Sequence, residues 1–172
     1  VTGSTGVTAS ARTSATIGSL SAAGTFTFNL FGQNTSAVQV SATVTSTSDL
    51  TAIRDAINAQ TGHTGITAEG TGATLNLVQA EGYNIGLTGV TGTGAATLTL
   101  TGGEGSGAVL GAAAGTDSST VGGQVSFNSL NAFTVSSSIG GAAGGLFGSA
   151  AAADAGVTGT LAAVGSVSVA SQ

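Results

Sequence analysis

The chain has 172 residues, with 30 Gly, no Cys, and only two basic residues (Arg12 and Arg54) against seven acidic ones, for a net charge of −5. Two separated arginines cannot replace the counterions of a nucleic acid or hold an anionic membrane surface, so both partners are excluded. The lack of Cys removes disulfides and thiolate metal sites, and Val, Ile and Thr are too abundant for a disordered chain.

Residues 1–20 are mostly Thr, Ser, Gly and Ala, with one weak strand predicted from Thr13 to Leu20. Residues 21–23 form a small-residue turn. The most informative stretch follows. Phe26, Phe28 and Leu30 fall on one face of an extended segment, and Val38, Val40, Ala42 and Val44 repeat the alternation after a polar turn at Gly32–Ser36. The period then changes: Leu50, Ile53 and Ile57 recur three and four apart, predicting a helix over 49–60. Thr47 or Ser48 is expected to cap it, Asp49 to sit in its first turn, and Gly62 to supply a left-handed C-terminal residue. Arg54 and Asp55 should lie off its apolar stripe. The period of two returns at Ile66 and Ala68, Leu75 and Leu77, and Ile85 and Leu87, with turns at Gly70–Gly72 and Glu81–Gly82. Two strands, a helix and about three strands make an antiparallel unit in which one helix covers one sheet face.

Beyond residue 88 the pattern flattens. Ala96–Leu100 reads as a strand, Gly102–Gly107 as a loop, and Ala108–Ala114 as a short helix or loop. Val125 and Phe127, a turn at Asn128–Asn131, then Phe133 and Val135 read as a hairpin. Residues 140–165 are rich in Ala and Gly, with Leu146 and Phe147 the only bulky pair, and Ser166–Val169 reads as a final strand. The expected fold is α+β and predominantly antiparallel β. A ββαβββ module at 21–90 is looped out of a second β-rich region, with Gly- and Ala-rich loops, built from 1–20 and 91–172. No apolar run approaches the roughly 18 residues of a membrane span, and the first residues lack the basic and apolar regions of a signal peptide. The chain starts without Met, so a fragment of a longer protein is expected.

The candidate sites are weak. His63, the single His, lies in Gln60-Thr61-Gly62-His63-Thr64-Gly65 and reads as a solvated turn residue. A catalytic His needs a placed nucleophile and an orienting acid, and neither a Cys nor a Gly-x-Ser-x-Gly elbow is present. Gly103-Glu104-Gly105-Ser106-Gly107-Ala108 fits a relaxed dinucleotide pattern, without a convincing strand–helix–strand unit around it. Gly102-Gly103-Glu104-Gly105-Ser106 begins a calcium repeat, but Gly107 stands where the Asp ligand belongs. A glycosidase or a calcium cluster would have to draw on Asp49, Asp55, Glu69, Glu81, Glu104, Asp117 and Asp154, and no spacing gathers them. With no Trp and one Tyr there is little to line a cleft, and Phe26, Phe28, Phe127 and Phe133 sit at inward strand positions. Asn34-Thr35-Ser36 is a formal N-glycosylation sequon, and exposed Ser and Thr could equally carry O-linked sugars. The catalytic, cofactor-binding and metal sets are therefore expected to be none.

The stretch from Phe26-Thr27-Phe28-Asn29-Leu30 through Leu50–Gly62 and Gly65–Ala68 to Glu81-Gly82-Tyr83-Asn84-Ile85 resembles the module inserted in the variable region of bacterial flagellins. Asp55 to Ala68 is its most telling part. Gly123–Ser136 is similar, less specifically, to hairpins of flagellin outer domains. The resemblance implies a non-enzymatic structural protein: the solvent-facing outer part of an extracellular flagellar filament subunit, without the polymerising terminal helices. Its partners would be neighbouring flagellin subunits, engaged through segments absent here, and the piece alone would be monomeric. The same module occurs in filament cap and hook-associated relatives. An adhesive or carbohydrate-binding module shares the Thr- and Gly-rich composition, and an enzyme fragment would need a cleft with paired acids. Short, Gly-broken strands suit a projecting domain because they limit edge-to-edge pairing, yet the usual edge lysines are missing.

Overall fold

The computed structural model describes residues 6–103, 107–129, 133–137 and 154–159. The chain divides into two compact units, Ser10–Ser126 and Val1–Ala9 with Phe127–Gln172.

The strands of the predicted module form as expected from their alternation: β2 (Gly24–Phe31), β3 (Val38–Val44), β4 (Ile66–Glu69), β5 (Thr74–Gln79) and β6 (Ile85–Gly92). They do not share one sheet. One sheet runs β3-β2-β6-β9, where β9 is Ser119–Val121. The other runs β4-β5-β1-β7-β8, with β1 at Val7–Gly18, β7 at Leu98–Gly102 and β8 at Ala108–Leu110. The recorded registers are antiparallel. The picture of a single sheet covered by a helix is thus corrected. Alternation says which side of a strand is apolar and is silent on which neighbour its backbone chooses.

The first helix, α1 (Thr51–Asn58), buries Ile53 and Ile57 completely and packs against both β3 and β4, one strand from each sheet. Leu50, just before it, is also fully buried. A four-residue helix, α2 (Thr61–Thr64), follows and ends at Gly65 in the left-handed region, φ 67°. The expected C-terminal residue, Gly62, lies inside α2. Neither Thr47 nor Ser48 caps α1; the Ser48 hydroxyl pairs with that of Ser46 at 2.8 Å. Asp49 precedes the helix and accepts the Thr51 N–H at 2.9 Å, meeting one of the donors that a helix start leaves unpaired.

Both sheets and α1 share one core. Phe26, Phe28 and Leu30 of β2, Ile85 and Leu87 of β6, Leu75 and Leu77 of β5, and Ile17 of β1 are buried in it. Leu98, Leu100 and Leu110 join from the stretch that sequence reading left flattest. The compact unit is therefore wider than 21–90, since β1, β7 and β8 complete the second sheet and its core face. Burying one shared core gains more than closing two small ones.

Three elements differ from expectation. Residues 108–114 form β8 and a 3-10 turn at Ala112–Ala114. Among the described residues the two strands of the expected 125–135 hairpin pair elsewhere: β10 (Gln124–Ser129) pairs with β1, and β11 (Phe133–Ser137) pairs with β12 (Asp154–Gly159), a strand inside the stretch read as Ala- and Gly-rich. Phe127, expected inward, is half-buried, and Val125 is exposed. Ser166–Val169, Leu146 and Phe147 lie outside the described residues, as does the side chain of Phe133.

Candidate functional site

Each sequence candidate can be followed to its place. His63 is exposed in α2, its N–H on the Gln60 carbonyl at 3.0 Å, and no described side chain hydrogen-bonds its ring. The described carboxylates stay apart. Asp49 serves the start of α1, where the Thr51 hydrogen bonds hold its carboxyl below the ordinary value of 3.8. Asp55 pairs with its neighbour Arg54 at 2.8 Å. Asp117 accepts from the Ser118 hydroxyl at 2.7 Å. Glu69 and Glu81 are exposed, Glu104 lies outside the described residues, and the side chain of Asp154 is likewise not described. Among the described residues no three His, Asp or Glu gather as metal ligands. The Gly103–Ala108 pattern leads into strand β8, not into the helix N-terminus that a dinucleotide phosphate requires.

The Asn34 sequon is occupied by the fold itself. The Asn34 Oδ1 accepts the Gly32 N–H at 2.7 Å, and its Nδ2 donates to the carbonyls of Leu30 and Ser36 at 3.0 and 2.7 Å. This side chain builds the turn between β2 and β3, and the nitrogen that would carry a sugar is already used twice. One open concavity of about 550 Å³ lies beside Gly111–Ala112 and Gly115–Ser118, with Asp117 the one titratable group among its described lining residues. A second, of about 250 Å³, lies over Ser14–Thr16, Asn76 and Thr101–Gly103 and has none among its described lining residues.

What the geometry does organise is polar backbone. Three side chains from the helical segment reach the outer edge of β4. Asn58 donates to the Ala68 carbonyl at 2.9 Å and accepts the Ala68 N–H at 2.8 Å, as a neighbouring strand would. The Thr61 hydroxyl donates to the Ile66 carbonyl at 2.8 Å, and Arg54 donates to the Gly70 carbonyl at 3.3 Å. An edge that would otherwise offer itself to another chain is closed without lysine. Sequence reading missed these roles, although the signal was present: 54, 58 and 61 recur four and three apart, a polar stripe at helical spacing.

A second device lies at β6. Its pairing with β2 slips where Thr27 faces Thr91 and Asn29 faces Thr88, and Gly89 takes φ 61° at the bulge. The Val90 N–H turns to the Asp117 carbonyl at 2.9 Å, and the Gly89 N–H to the Ser118 hydroxyl at 3.4 Å. On the outer face of that sheet, hydroxyls satisfy one another across strands: Thr25 with Thr43 at 2.9 Å and Thr27 with Ser41 at 3.2 Å.

The helix laid between strands of two sheets, and the β2-to-β5 segment around it, coincide with a known motif. Residues 25–81 match the family model of the flagellin hook IN motif. This stretch is a flagellin-type insertion module. No curated protein matches the chain. The flagellin motif therefore covers β2 through β5 with both helices, while β1 and β6–β9, which complete the sheets, lie outside it. No described helix is long and apolar enough to cross a membrane.

Proposed function

We propose that the chain is the outward-facing, structural part of a flagellin, carried on the surface of an extracellular bacterial flagellar filament and performing no reaction. The observation that carries this reading is the flagellin motif over residues 25–81. The side-chain chemistry agrees with it. Asp49, Asp55, Arg54, Asn34 and Asn58 all spend their polar groups on the fold, and none converges on a cleft. The catalytic, cofactor-binding and metal sets are accordingly proposed to be none. Polymer contacts would be made by segments outside this sequence, so the filament partner is a neighbouring flagellin subunit.

The division expected from the sequence also belongs to this proposal. Residues 21–90 are the recurring insertion module, and 1–20 with 91–172 make a second β-rich outer domain.

Immunogold labelling of intact cells with antibodies raised against the purified chain tests the reading. Label along the whole length of flagellar filaments is expected. Label restricted to the filament tip or the hook junction would transfer the chain to a cap or hook-associated protein, and label absent from flagella would refute the proposal.

A further inference from the structure

A protease that cuts after Lys or Arg meets only two substrate bonds in the 172 residues, Arg12–Thr13 and Arg54–Asp55, because Lys is absent. The described loops, where proteolytic nicking usually begins, contain neither residue. Both bonds lie in regular structure instead. Arg54–Asp55 is inside α1, between Ile53 and Ile57, which are fully buried. The Arg54 N–H donates to the Leu50 carbonyl at 3.0 Å, and the Asp55 carbonyl accepts the Ala59 N–H at 2.9 Å, so the backbone is held on both sides of the bond. The guanidinium is also engaged, donating to Asp55 at 2.8 Å and to the Gly70 carbonyl at 3.3 Å. Arg12–Thr13 is inside β1. Thr13 is fully buried, faces Gln79 of β5 in register, and donates its hydroxyl to the Tyr83 carbonyl at 2.6 Å. A protease draws several residues in extended form into its cleft, so neither bond is reached until α1 leaves the core or β1 leaves its sheet.

We infer that the folded chain is refractory to proteases specific for Lys or Arg, and that cleavage at either Arg waits for opening of the main core. The missing edge lysines fit the same arrangement. A lysine near a strand end guards the edge but also gives such a protease an accessible bond. Asn58 and Thr61 guard β4 without creating one, and Arg54 does so from within a helix. An outward-facing surface gains most from this resistance, yet the property belongs to the fold whatever carries it.

Trypsin digestion of the full chain tests the inference, with synthetic peptides of residues 7–18 and 49–60 as unfolded references, since peptides this short hold little structure in water. Cleavage after Arg12 and Arg54 tracks the population of the opened state, so in the folded chain it is expected to run at least about a thousandfold slower than in the peptides. Ala113→Lys supplies the control. Residues 112–118 are a run of exposed loop around the Ala112–Ala114 turn, so this variant is expected to be cut quickly at position 113 while Arg12 and Arg54 stay intact. Smaller protection at either Arg would show that the bond opens locally and would overturn the inference. So would an Ala113→Lys chain left uncut at position 113, because the loop would then exclude the protease without help from the missing bases.

Discussion

At Gly82 the backbone takes φ 80°, and a Cβ there would strike the Ala11 side chain. At Gly65 φ is 67°, and a Cβ would crowd Gln79 Nε2 at 3.0 Å and the Gln33 amide at 3.1 Å. Both glycines therefore answer to a left-handed backbone and to a close neighbour. Gly82→Ala is expected to cost about 3 kcal/mol and Gly65→Ala about 1–2 kcal/mol in urea unfolding, since the second meets flexible side-chain ends. Asp49 makes a pH prediction. The Thr51 hydrogen bonds lower its folded pKa below 3.8, so the unfolded chain binds the proton more readily. Its stabilising contribution is fully present above the unfolded value and is lost as pH falls through the lower folded value. Comparing urea midpoints of the natural chain and Asp49→Asn from pH 6 to pH 2 should show a difference that shrinks on acidification. A difference that grows would contradict the assigned role.

Among elements, α1 does the most with the fewest residues. Its apolar stripe was legible because Leu50, Ile53 and Ile57 keep helical spacing, and all three are fully buried. Ile53→Ala or Ile57→Ala is expected to cost about 2–5 kcal/mol, the usual penalty for emptying a packed core site. The polar stripe of the same segment is predicted to matter locally. Asn58→Ala removes both bonds to Ala68 and should cost about 1–2 kcal/mol, with hydrogen exchange of the Ala68 amide accelerating selectively. If Ala68 exchanges as before, Asn58 does not close the edge. The caps were less legible than the helix. Thr47, Ser48, Asp49, Gly62 and Gly65 are all chemically suited to helix ends, and only the path of the chain out of β3 and into β4 selects Asp49 and Gly65.

For the molecule as a whole, strand positions were readable and strand partners were not. Phe26, Phe28, Val40, Ile66, Leu75 and Leu87 all face the core as their alternation implied. Nothing in that alternation told that β4 and β5 would leave β2 and β3 for a sheet with β1 and β7. Residues 98–121 looked bland because their strands are short and set among Gly, yet Leu98, Leu100 and Leu110 close the core. A fragment of residues 10–126 is therefore expected to unfold cooperatively with the stability of the whole chain. A fragment of 21–90, lacking Ile17 and these three leucines, should remain largely unfolded. At the candidate sites, the bonds that occupy Asn34 depend on a turn that no sequon shows.

In the proposed function the module is displayed outward and takes no part in building its polymer. The most direct measurement removes it: an in-frame deletion of the segment encoding residues 10–126, followed by electron microscopy of the filaments and tracking of swimming cells. Filaments of ordinary length on motile cells, no longer labelled by antibodies against the chain, are the expected result. Cells that export the shortened subunit but assemble no filament would contradict the account.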